Sequence, residues 1–168
     1  MIVRFGLLRR GPVFLGGGSG SIWFAKNAVI LPASFRVVAF SIRRRWWQKP
    51  KWFAPAAISY LTAEAVWLFP NVGSAAGRVP DGATAIKGKA VETVSGARLG
   101  RVRDFAFSSD TGEVVELTVV AAPFGPCWPR ECVVERAAVV KVELGRIIVR
   151  DAAIPASNSK VALKGLHS

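Results

Sequence analysis

The chain has 168 residues, 51% of them hydrophobic and 20% charged, which is enough apolar material for a core in one domain or in a small domain with an extension. Its formal net charge of +12 is uneven: residues 1–85 carry eleven Lys/Arg against Glu64 and Asp81, whereas residues 86–168 carry twelve against nine acids. The basic character therefore belongs to the first half. Two cysteines, Cys127 and Cys132, are too few for a disulfide framework. With His167 as the only histidine, they do not complete a zinc set either, so no metal is expected and both thiols are expected to be reduced.

Residues 1–85 have no clean period. Glycine runs, scattered prolines and basic clusters alternate with bulky apolar residues, and Gly16–Gly20 interrupts the apolar stretch that a secretory signal would need. The best membrane candidate is Trp52–Gly73, which follows "RRRWWQKPK" and has the length of a span with aromatics towards both ends. Pro55 and Pro70 oppose a helix there, and Glu64 near the bilayer centre would cost roughly 2.5–3.5 kcal/mol. The cluster Arg43, Arg44, Arg45, Trp46, Trp47, Lys49, Lys51 and Trp52 combines phosphate-neutralising cations with stacking surfaces, the ingredients of a nucleic-acid contact, without a module signature. A start assigned upstream of the native one would give a similar text. Residues 1–85 are accordingly expected to be a basic, Trp-rich, irregular or membrane-associated region.

From Ala85 onward the pattern changes to short strands. "KAVETV" (89–94) is stopped by Ser95-Gly96, and "RLGRVRDFAFS" (98–108) follows with neither face purely apolar and with Gly100 as a candidate bulge. "SDTGE" (109–113) is a turn in which Gly112 takes positive φ, and "VVELTVV" (114–120) is the next strand, with Val115, Leu117 and Val119 on one face. "AAPFGPCWPR" (121–130) is a proline-rich loop. After it, "ECVV" (131–134) predicts a strand, "ERAA" (135–138) a helical turn, and "VVKVE" and "RIIVRD" a hairpin around Leu144-Gly145. Six short strands without a covering helix predict a small closed barrel, with a loose polar tail after Pro155.

Gly88-Lys89-x-Val91, Gly96-x-x-Leu99-Gly100-x-Val102-x-Asp104, Asp110-x-Gly112 and Ile148-Val149-x-Asp151, in that order and spacing, resemble the PRC-barrel family over roughly residues 86–154. The resemblance implies a mainly β fold, a six-stranded antiparallel β-barrel without a catalytic centre, cofactor or metal, acting through protein contacts as in the photosynthetic reaction-centre H subunit and a ribosome-maturation factor. Many members are stand-alone bacterial or archaeal proteins. The loop 121–130 and everything before residue 85 inherit nothing from it. The domain expectation is therefore an N-terminal region 1–85, a barrel 86–154 and a tail 155–168.

No paired base and nucleophile, phosphate loop or ligand set occurs in the barrel segment, so a non-enzymatic binding module is expected, with a protein partner. Candidate contact residues are Phe124 and Trp128, in a loop where burial is hard, and Arg101 and Arg103 on a strand face. The rival account of the two aromatics is that they cap a barrel end, that of the two arginines is a solvated strand face, and that of Asp104 is a strand residue bonding a neighbouring loop or pairing with Arg103 or Arg98. A barrel tethered by residues 52–73 and an RNA- or ribosome-associated factor are the alternatives. The expected location is the cytoplasm, including the face of the cytoplasmic membrane.

Overall fold

A computed structural model of the protein describes residues 1–16, 21–69, 79–122 and 130–153. Phe124, Trp128 and the tail after Pro155 lie outside them. The chain divides into two compact units, Met1–Ile86 with Phe105–Val115, and Lys87–Asp104 with Glu116–Ser168.

The first unit corrects the expectation of an irregular N-terminal half. It contains β1 (Ile2–Arg4), a single helical turn and a half α1 (Phe5–Arg10), β2 (Val13–Leu15), β3 (Ile22–Leu31), β4 (Arg36–Arg43), β5 (Lys51–Phe53), β6 (Ile58–Leu61), β7 (Val66–Leu68) and β8 (Thr84–Ala85). A 3-10 turn at Pro55–Ala57 joins β5 to β6. The sheet order is β5-β4-β3-β2-β7-β6, with β8 alongside β3. All neighbours are antiparallel except β2 and β7, which run parallel with Val13 opposite Val66. The candidate membrane span is thus β5, a turn, β6 and β7 up to the end of the described segment, and among the described residues no helix is long and apolar enough to cross a membrane.

The physical reason that this half lacked a visible period lies in β3. Its register against β4 shifts between Ala25 and Ala28 and again between Val29 and Ile30, so the inward-facing side changes phase within one strand. Buried residues consequently fall in runs (Ala28, Val29, Ile30 on β3 and Ala39, Phe40, Ser41, Ile42 on β4) rather than in alternation. The β3–β4 turn also lacks the usual marker: Phe35, buried, adopts φ +51°, and its N–H donates to the Leu31 carbonyl at 2.9 Å.

The second unit follows the predicted strands closely: β9 (Ala90–Thr93), β10 (Arg98–Ser108), β11 (Val114–Ala121), β12 (Glu131–Glu135), β13 (Val139–Val142) and β14 (Arg146–Val149), with a 3-10 turn at Arg136–Ala138. β10 belongs to this unit up to Asp104 and β11 from Glu116 onward. The order is β12-β11-β10-β9-β14-β13. The expected all-antiparallel arrangement is corrected at β9 and β14, which pair in parallel with Val91 opposite Ile147, because the β13–β14 hairpin closes back on the first strand of the set. Val115 is exposed instead of sharing the buried face of Leu117 and Val119. Cys132, expected as a reduced thiol, is buried and disulfide-bonded.

The two sheets repeat one connectivity. In each, a short strand pairs antiparallel with a long hairpin, a fourth strand extends the hairpin, and a 3-10 turn leads to a final hairpin whose last strand runs parallel to the first. The repetition reaches single residues: β6 slips by one against β7 between Ile58 and Tyr60, and β13 slips against β14 between Val139 and Lys141. Phe35 and Gly112 occupy the same turn position, both at positive φ, and Gly112 N–H donates to the Ser108 carbonyl at 2.7 Å as Phe35 does to Leu31.

Within the first unit, β1 and β8 add to the two long strands. Val3 pairs opposite Phe107 of β10, and Thr84 opposite Ile30 of β3. The turn residues also exchange backbone bonds: Val37 N–H donates to the Gly112 carbonyl and Val114 N–H to that of Phe35. Phe5 stacks on Phe105 with ring centroids 5.1 Å apart, and Val3, Phe5 and Leu8 are fully buried. This explains the mixed pattern of "RVRDFAFS". Arg101 and Arg103 are exposed, but Phe105 and Phe107, on the same side of an ideal strand, are covered by the N-terminal residues.

In the second unit the last motif meets Ser95, the residue before the Gly96 motif. Asp151 Oδ1 accepts from the Ser95 hydroxyl at 2.6 Å and from Ser95 N–H at 3.3 Å, and these bonds hold its carboxyl below the usual range. Such a group contributes stability above its unfolded pKa, and that contribution is lost as pH falls through the folded value. Asp151→Asn is therefore expected to flatten the acid limb of the stability profile below about pH 4 while leaving its slope near neutrality unchanged. Denaturant melts across that range check it.

Candidate functional site

The site is built on β10 and β11 of the second unit. β10 reads "RLGRVRD" at its start, and strict alternation would put Arg98 on the side of Val102, opposite Arg101 and Arg103. The register against β9 shifts between Arg98 (opposite Glu92) and Gly100 (opposite Val91), so the strand contains one extra residue. The bulge brings Arg98 into phase with Arg101 and Arg103: all three are exposed, whereas Leu99, Gly100 and Val102 are buried.

Gly100 permits this. Its φ is +150°, and a Cβ there would lie 1.8 Å from the Val120 carbonyl oxygen, so β11 can approach only a residue without a side chain. The close approach is locked by Ala122 N–H donating to the Leu99 carbonyl at 2.9 Å. Between the strands lies an open cleft of about 430 Å³, lined by Arg98, Arg101 and Arg103 together with the apolar Val102, Val120 and Ala121.

Each predicted arginine has an anchor. Arg101 Nη1 donates to the Gly88 carbonyl at 2.9 Å, and the Arg103 guanidinium pairs with the Glu131 carboxylate of β12. Both side chains stay largely solvated, so the pair is worth less than about 1 kcal/mol and the guanidiniums keep donors for a partner. Arg98 completes the set and was missed in the sequence. The signal was present in Gly100, because a bulge reverses the phase of everything before it. Asp104 is half-buried on the same strand. Phe124 and Trp128 belong to the segment between β11 and β12 that lies outside the described residues, so the structure brings together only the arginine part of the predicted site.

Polar groups elsewhere in this unit hold strands. The buried Lys89 ammonium donates to the Glu143 carbonyl at 3.0 Å and to the Leu144 carbonyl, pinning the β13–β14 turn, and burial lowers its pKa. Arg146 bridges Glu143 at 2.7 Å and Glu92 at 3.3 Å, tying β14 to its parallel neighbour. Arg146, followed by Lys141, keeps the Glu143 carboxyl below its ordinary pKa.

No curated protein matches the chain. The family model of the PRC-barrel domain matches residues 81–153, in agreement with the resemblance carried by the motifs between Gly88 and Asp151.

Proposed function

We propose that the protein is a non-catalytic scaffold made of two barrels of this type in tandem, and that it works by binding a protein through the β10–β11 cleft. The domain match is consistent with a non-catalytic module. The repeated connectivity supports a second barrel in residues 1–69, where no family match falls. The observation that carries the binding role is the cleft itself, lined by the apolar Val102, Val120 and Ala121 together with three arginines. Such a surface suits an extended segment with apolar side chains and nearby carboxylates, which arginine recognises in bidentate geometry.

The test is affinity capture with the full chain, comparing wild type with Arg101→Glu/Arg103→Glu. Both positions are exposed, so the melting temperature should move little. Loss of a partner that wild type retains is the expected result. An identical set of partners for both proteins would remove the cleft from the binding role.

A further inference from the structure

Outside the cleft, the first unit carries a second exposed feature, at the connection between β4 and β5. Trp46 is 79% exposed and Trp47 60%, values that a core or capping role does not produce. The loop has a defined shape. Arg43 Nη1 donates to the Trp46 carbonyl at 2.7 Å, Gln48 N–H donates to the Arg45 carbonyl at 3.1 Å, and the two indoles meet edge to face at 5.6 Å. Arg43, Arg44, Arg45, Lys49 and Lys51 lie in or beside it, and no acid precedes Glu64 in the chain. Phe24, which pairs opposite Arg43, and Ile22 are further exposed apolar residues of β3.

We propose that this loop docks the protein on an anionic lipid bilayer, with Trp46 and Trp47 entering the interfacial layer and the surrounding cations facing the headgroups. Indoles prefer the bilayer interface, where one end of the ring is apolar and the other wet, and each nearby Lys or Arg adds attraction to anionic lipid. Single-stranded nucleic acid is the competing occupant for cations interleaved with tryptophan. Two observations favour the bilayer. The guanidinium of Arg45 lies 5.2 Å from the Trp47 ring centroid and the ammonium of Lys51 lies 4.9 Å from that of Trp23, so cations already occupy faces on which bases would stack. The aliphatic Ile22, exposed on β3 two residues before Phe24, offers a base nothing, whereas lipid accepts it. This is peripheral docking by a loop and requires no spanning segment.

The full chain should cosediment with phosphatidylcholine vesicles that contain phosphatidylglycerol and not with vesicles of phosphatidylcholine alone. Trp46→Ala/Trp47→Ala is expected to reduce the partition coefficient by about tenfold or more, and Arg44→Gln/Arg45→Gln by roughly tenfold or more through loss of two surface cations. All four positions are solvent-facing, and an unchanged melting temperature confirms that each variant folds. Absence of binding to the anionic vesicles would overturn the proposal. Equal binding by the tryptophan variant would overturn it too. So would tight capture of a single-stranded oligonucleotide that is lost in the tryptophan variant while vesicle binding persists, because the loop would then be a nucleic-acid surface.

Discussion

Phe5→Ala is expected to destabilise the protein by about 3–5 kcal/mol, the range for truncating a buried aromatic. The ring is 1% exposed and lies flat on Phe105, with an interplanar angle of 13°. A shortened chain beginning at Gly82 extends the same test. It removes Val3, Phe5 and Leu8, each fully buried and worth about 1.5–3 kcal/mol, and it uncovers Phe105 and Phe107. Together these losses approach the 5–15 kcal/mol that holds a typical domain together. The strands predicted from the sequence all lie after residue 85, but the strand tips at Phe105–Val115 belong to the unit built by Met1–Ile86. The shortened chain should therefore lack a cooperative thermal transition and bind an apolar dye. A sharp melt close to that of the full chain would show that the N-terminal residues are dispensable.

The second large effect is expected at Gly100. Gly100→Ala places a methyl group 1.8 Å from the Val120 carbonyl oxygen and 2.7 Å from its carbon, both backbone atoms. β10 and β11 would have to separate, and the combined strain and overpacking should cost on the order of 4 kcal/mol. Gly96→Ala is the control. That residue also has positive φ, +91°, but nothing lies within 4 Å of a Cβ there, so only the backbone penalty of about 1–2 kcal/mol applies. Denaturant melts of the two variants distinguish steric closure from conformational cost. Gly100→Ala should also disperse the three arginines, because the bulge sets their phase.

The second half of the chain was legible because its local signals agree. Val, Thr and Phe runs end at Ser95-Gly96 and at Asp110-x-Gly112, and β10 begins and ends where its residues predict. The first half has the same connectivity without the signals. Phe35 stands where Gly112 marks the equivalent turn, and β3 changes phase twice, so neither the turn nor the alternation could be seen. At the site, Arg101 and Arg103 were legible as a strand face, whereas Arg98 was not, since its phase depends on a backbone insertion rather than on its own residue type. The parallel pairing of β9 with β14 was hidden for a different reason: pairing partners 56 residues apart leave no local trace.

The placement of β1 and β8 sets a problem for the chain as it folds. Each could extend the long strand nearest to it in sequence, β1 on β3 and β8 on β10, yet β1 lies on β10 and β8 on β3. Closing the loop from Val3 to Phe107 instead of to the site near Ile30 costs about 1 kcal/mol more chain entropy, so the nearer pairing is the faster one to form. The native arrangement has to recover that difference through the contacts it alone makes, foremost the stack of Phe5 on Phe105. Both placements offer backbone pairing of the same kind, so refolding is expected to divide between a quick misassembled population and a slower correct one. At high concentration the same ambiguity is expected to let the β1 of one molecule settle on the β10 of another, giving exchanged dimers that size-exclusion chromatography of refolded protein would reveal.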